Sequence, residues 1–245
     1  MRRNESGFEQ EYVDESEVPY YKKYKRMTGK QLYDRFTESH EDNPKLSKLL
    51  KKVRKYIVEP HQKLSEEKMD ELDRIIKSAK DERRLQKFLK ENPYVLTEKM
   101  QPAHHGQICI PKPNLGGFLH PDFLMAGMDS AGFWWYGVEL ENPNYPMFTK
   151  AGNPTRELNT ALSQIEDWRH WLRENIAYAR DTLGFMHIDG ELPCYVLIGR
   201  RDEEIVDEEE LLMKQRSMMK RDKYLLFLHH YEWLLDDRMT LVRIR

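Results

Sequence analysis

Apolar residues recur at two different periods along this chain, and the change between them falls near residue 100. Before it the spacing is helical. After Pro44, residues Leu46, Leu49, Leu50, Val53 and Ile57 fall on one helical face. A second helix is predicted from near Ser65, with Met69, Leu72, Ile75 and Ile76 inward. A third covers 81–91, with Leu85, Phe88 and Leu89 apolar, and Asn92-Pro93 stops it. Beyond residue 100 the pattern predicts strands at 107–110, 118–125 and 133–140. The last two are joined by a turn over 127–132, which makes them antiparallel. A long helix follows at 155–178, with Leu158, Ala161, Ile165, Trp168 and Leu172 as its buried stripe. The run PCYVLIG at 193–199 is almost wholly apolar, as in a strand buried on both faces. A helix at 207–219, a strand at 224–229, a short helix at 231–235 and a strand at 239–244 complete the chain. Helices and strands in this order imply an α/β fold with a mixed central sheet flanked by helices. Residues 1–43 are polar, tyrosine-rich and weakly periodic, and read as an arm or a loosely packed extension.

Composition adds a folded but well-hydrated chain: 33% of residues are charged and 39% hydrophobic. The net charge of −2 says nothing about partners, but its distribution does. Residues 20–58 hold twelve Lys or Arg against four Asp or Glu, and acid compensates over 202–210. Such a basic segment suits a phosphate backbone, and it equally suits a solvated helix face. Cys109 and Cys194 give neither a disulfide framework nor a zinc spacing. The N-terminal stretch lacks the apolar core of a signal peptide. No run approaches the ~18 apolar residues of a membrane span. The expectation is a soluble, cytoplasmic protein with no membrane partner.

The chemistry gathers at strand ends. Asp122 follows Pro121 in apolar company, between Leu119 and Phe123. Glu139 and Glu141 stand two apart at the end of the aromatic run FWWYGVEL, so on a strand they share a face. A hairpin between the two strands brings Asp122 near them. Three carboxylates in one small volume are costly without a cation. Hard oxygen ligands of this kind suit Mg2+ or Mn2+ rather than zinc. The chemistry that uses such a site is metal-assisted phosphodiester hydrolysis. Structural alternatives stand beside it: Glu141 as a solvated strand-end residue, the tryptophans as core, and His104-His105 and His229-His230 as ordinary histidines. Arg200 and Arg201, ending the VLIG strand, can contact phosphate or pair with Asp202 and Glu203.

The stretches HPDFLM, YGVELENP and Gln164 on the following helix resemble the core of the PD-(D/E)XK nucleases. With DERRLQKFLKENPYVL, VLIGRR and HHYEWLLDD in the same order, residues 80–240 resemble the Shedu nuclease domain, also called DUF4263. That resemblance implies a restriction-endonuclease-like fold over 80–245, preceded by a basic, partly helical extension at 1–79. It also implies nuclease activity on DNA, a role in bacterial defence against phage, and homo-oligomeric assembly. On the family's pattern Asp122 and Glu139 are metal ligands. Glu82, one helical turn before Gln86, is an acid that assists the metal. Gln164 braces the site. Glu141 departs from the PD-(D/E)XK pattern, because it stands where that pattern usually has a lysine, although many relatives carry a second glutamate there. Either it is an added ligand and another cation serves for the lysine, with Lys150 the nearest by sequence, or the site has decayed to binding without cutting. A third reading is a hydrolase of small phosphoesters. Lys51, Lys52, Arg54 and Lys55 are the expected DNA contacts, together with Arg200 and Arg201.

Overall fold

The computed structural model describes residues 30, 31, 34, 51–59, 64–99, 106–129, 132–223 and 225–236. Most of residues 1–43, together with Leu46, Leu49, Leu50, the His104-His105 pair and the strand expected at 239–244, lie outside these.

Six strands form one sheet in sequence order: β1 (Ile57–Val58), β2 (Gly106–Pro111), β3 (Phe123–Asp129), β4 (Gly132–Leu140), β5 (Cys194–Leu197) and β6 (Leu226–His229). The first four run antiparallel to their neighbours, while β4, β5 and β6 are mutually parallel. The mixed sheet expected from the sequence is therefore present. The antiparallel half needs only short turns. The parallel half needs crossovers. These contain α4 (Arg156–Tyr178), between β4 and β5, and α5 (Glu208–Arg221), between β5 and β6.

Helices cover both faces. On one side Leu124, Ala126, Met128, Phe133 and Trp135 pack with Leu158, Ala161, Ile165, Trp168 and Leu172 of α4 and Leu211 of α5. On the other, Phe123, Met125, Val138 and Leu140 pack with α1 (Glu66–Ser78), α2 (Arg83–Glu91) and α3 (Tyr94–Lys99). Neighbouring residues of β3 and β4 thus serve opposite cores, which is the period-two rule at work. Gly137 sits on the α4 side, where a Cβ would meet Cys194 Sγ at 2.9 Å and the Trp168 ring at 3.4 Å. Its absent side chain lets α4 lie close against the sheet.

Several sequence expectations need correction. Ile57 does not continue a helix. It pairs with Ile108 as part of β1, after a 3-10 turn over Arg54–Tyr56. Met69 is 41% exposed rather than inward. The strand expected from residue 118 begins at Phe123, because 112–122 form a loop with its own internal bonds. Trp134 is exposed, although Trp135 and Trp168 are core. Strand β1 and helix α1 both precede residue 80, yet they build into the same sheet and core as the rest. Among the described residues, no helix is long and apolar enough to cross a membrane.

Candidate active site

The sheet changes from antiparallel to parallel at β4, and the acids stand at the C-terminal end of that strand. The register of β3 with β4 runs from Asp129 opposite Gly132 to Phe123 opposite Val138, so the next pair is Asp122 and Glu139. Counting by twos from Phe133, Trp135 and Gly137 puts Glu139 and Glu141 on the α4 side. Asp122 sits just outside β3, and its side chain does what the ladder no longer can. Its Oδ2 accepts the Leu140 N–H at 2.7 Å, which ties the two strands together where they part.

Burial makes these carboxylates expensive to charge. Asp122 is 3% exposed and Glu139 6%. Burial first, then the Asp122 and Glu141 charges, push Glu139 up to about 9, and the Lys112 charge and the Asp122 backbone N–H offset this only in part. Glu141, less deeply placed, is raised to about 7 by burial and then by Glu82, Asp122 and Glu157. Asp122 is also raised, because burial outweighs its bonds to Lys112 and Leu140. Glu139 Oε2 is buried and has no hydrogen-bond partner. A buried carboxyl oxygen without a donor is uncommon, and a catalytic role, a water or an ion each accounts for one.

The helices bring the remaining groups. Glu82 is the N-cap of α2, and its charge reaches both Asp122 and Glu141. Gln86, on the next turn, donates from Nε2 to Asp122 Oδ1. The NPN loop after β4 holds that helix end in place. Asn142 Nδ2 donates to Lys80 O at 3.1 Å and Asn144 Nδ2 to Ala79 O at 3.0 Å. Glu157 lies in the first turn of α4. Gln164 follows it by seven residues, so it lies on the same helix face two turns on, half-buried. Behind the acids the fully buried Tyr231 donates its hydroxyl to Glu141 O at 2.7 Å.

The lysine bonded to Asp122 is Lys112, which no sequence motif marks. Its Nζ reaches Asp122 Oδ1, and its N–H donates to Asp122 O at 2.9 Å. The signal was the β2–β3 register. Pro111 pairs with Phe123, so the next residue out faces Asp122. Lys150 lies in a turn closed by Gly152 N–H to Thr149 O at 2.7 Å. That turn is held to α5 by Lys214 Nζ donating to Gly152 O at 2.9 Å. Arg200 is engaged by Glu203 and donates to Lys77 O at 2.9 Å, at the end of α1. Arg201 pairs with Asp236 at 2.5 Å. Lys51, Lys52, Arg54 and Lys55 are exposed. Lys52 donates to Thr182 O and Arg54 pairs with Asp34 at 2.7 Å. His229 stacks on Trp233 at 4.0 Å, and His230 Nε2 lies 3.3 Å from Glu204 Oε2. The latter histidine pair therefore has structural partners.

Among the described residues, no three of His, Cys, Asp and Glu stand close enough to hold one metal ion together. The acids feel one another's charge without forming a ligand cage, and Lys112 and Gln86 occupy Asp122. Glu139 offers a free buried oxygen, and Glu141 and Glu82 add charge at the rim. No curated protein matches the chain. Residues 79–232 match the family described as Shedu protein SduA, C-terminal, and the chain belongs to that family.

Proposed function

We propose that this protein is a metal-dependent DNA endonuclease of the PD-(D/E)XK type that cuts phosphodiester bonds. Membership of the Shedu family points to anti-phage defence, and the partners on this reading are DNA and further copies of the same chain. The observation that carries the catalytic reading is the unpartnered, buried Glu139 Oε2 beside Asp122 at the sheet's switch from antiparallel to parallel. Asp122, Glu139 and Glu141 would hold Mg2+ or Mn2+, with Glu82 assisting from α2. A bound ion of this kind supplies a water of lowered pKa and positive charge opposite the reacting phosphate. The chain's own groups do the rest. The Leu140 N–H fixes the Asp122 carboxylate in orientation. Tyr231 holds the backbone that carries Glu141. Gln164, on the face of α4 that carries Glu157, braces the open side. Lys150 is assigned to phosphate or water contact.

The rival reading is a nuclease fold that binds nucleic acid without cutting. The glutamate at position 141, where the PD-(D/E)XK pattern usually has a lysine, favours it. One experiment separates them: cleavage of plasmid and linear DNA by wild type and Glu139→Ala, with Mg2+, Mn2+ or chelator. Cutting that needs metal and is lost in the variant supports the endonuclease. A wild type that binds DNA but cuts neither substrate sinks that reading and leaves the binding protein.

A further inference from the structure

The two oxygens of Asp122 are not equivalent. Oδ2 takes a backbone N–H that the β4 strand fixes, at 2.7 Å. Oδ1 takes two side-chain donors, Lys112 Nζ and Gln86 Nε2. Oδ2 has one donor and Oδ1 has two, and a cation shared between Asp122 and the Glu139 oxygen meets the Lys112 ammonium at close range whichever Asp122 oxygen it uses. Lys112 is built to occupy Oδ1 and also to leave it. Its side chain is 52% exposed while that of Asp122 is 4% exposed, so the ammonium reaches in from solvent. Its backbone is left-handed, at φ 45, and is held there by the bond from its N–H to Asp122 O. For a residue other than glycine that conformation is unfavourable. The strain is sustained by the loop 112–121, whose turn is closed by Leu115 N–H to Leu119 O at 3.0 Å. The loop also rests on α4. A Cβ at Gly116 would lie 2.2 Å from Trp171 Nε1.

We infer that Lys112 is a built-in counter-ion of the acidic site, whose ammonium a divalent cation must displace from the Asp122 carboxylate. The inference rests on the metal site proposed above and adds its regulation. In the metal-free protein the lysine neutralises Asp122 and holds the acids apart from a ligand cage. When it is displaced, its ammonium swings toward solvent, on the side where an anionic phosphate would approach. An ammonium and a divalent ion cannot both sit against one carboxylate at low cost.

The test is Mn2+ binding, followed by the resonance of the free ion, on wild type, Lys112→Met, Lys112→Arg and Glu139→Gln. Removing the competing charge should tighten Mn2+ binding by about tenfold. Lys112→Arg should bind as the wild type does, and Glu139→Gln should lose the site. If the wild type binds Mn2+ and Glu139→Gln does not, but Lys112→Met binds equally or more weakly, displacement is wrong and the site stands. If no form binds Mn2+, both fail. A second readout needs no variant to fold. Brief acylation of wild-type amines, read by mass spectrometry, should find Lys112 several-fold more reactive with Mn2+ than without. Reactivity that saturating Mn2+ leaves unchanged overturns the inference.

Discussion

At the scale of single residues, Glu139 sets the energetics. In the metal-free protein its carboxyl is more stable neutral, since burial and its acidic neighbours raise it to about 9. The unfolded chain ionises it at the ordinary value near 4.5. A group whose folded pKa is raised contributes stability that is complete below its unfolded pKa. That contribution falls away as pH rises toward the folded value. The metal-free protein should therefore lose stability from about pH 5 to pH 9. Glu139→Gln, which cannot ionise, should flatten that slope. At pH 8 without metal it should be the more stable form, by on the order of 2 kcal/mol. That corresponds to a rise in melting temperature of about 4–8 °C. Melting both proteins in chelator across this pH range checks it. A Glu139→Gln protein that melts below wild type at pH 8 would mean that Glu139 is held charged by a donor, against the unpartnered oxygen seen here. The acids at 122, 139 and 141 were legible in the sequence because two strands at known spacing bring them together. Lys112 was not, because its role depends on the β2–β3 register, which strand bounds alone do not fix.

At the scale of elements, long periodic segments read well. Helix α4 and strand β4 each depart from their expected bounds by a single residue, and α2 keeps its expected buried face. Short segments do not carry enough turns to show a period. Helix α3, six residues directly after Asn92-Pro93, had no signature of its own. The loop 112–122 was misread for the opposite reason. Phe118 and Leu119 imitate a strand, but Phe118 is 99% exposed at the loop tip. The loops that frame the site depend on particular glycines. Gly199 follows β5 at φ +69, and a Cβ there would stand 2.4 Å from Tyr145 O. The same residue accepts the Tyr231 N–H at 3.2 Å, linking the NPN loop to the tyrosine that supports Glu141. Gly117 has the same φ, but a Cβ there would meet nothing within 4 Å. The pair separates backbone strain from collision. Gly117→Ala should cost about 1 kcal/mol. Gly199→Ala carries the same strain and adds a backbone clash, so it should cost roughly 2 kcal/mol or more. Urea unfolding of both variants measures this as a larger fall in midpoint for Gly199→Ala, with the slope unchanged. Equal midpoints would mean that Tyr145 yields, and that the loop is not held against β5.

At the scale of the whole molecule, a site lined with carboxylates cannot by itself attract DNA. With a net charge of −2 the chain has no general attraction to offer either. If DNA is the substrate, some local surface must supply positive charge. The best placed is the segment that leads into β1, at the edge of the sheet. Lys51, Lys52, Arg54 and Lys55 are exposed around the buried Val53, which anchors the segment in the α4-side core. Two of these cations already have oxygen partners, Thr182 O for Lys52 and Asp34 for Arg54, while Lys55 Nζ lies over the Tyr56 ring at 4.8 Å. Lys51 and Lys55 are therefore the sharper test. Each phosphate contact releases counter-ions and contributes about −0.9 to the slope of log affinity against log salt. Reversing both lysines, Lys51→Glu with Lys55→Glu, should weaken binding to duplex DNA at low salt. It should also make that slope shallower by about 1.8. Melting temperature should hardly move, since neither side chain is part of a core. Anisotropy of a labelled duplex, titrated at several salt concentrations in chelator so that no strand is cut, reads affinity and slope together. Slopes that coincide for the two proteins would exclude this segment as the DNA contact. The phosphate-binding surface would then have to be sought at the rim of the acids, where Lys112 already faces solvent.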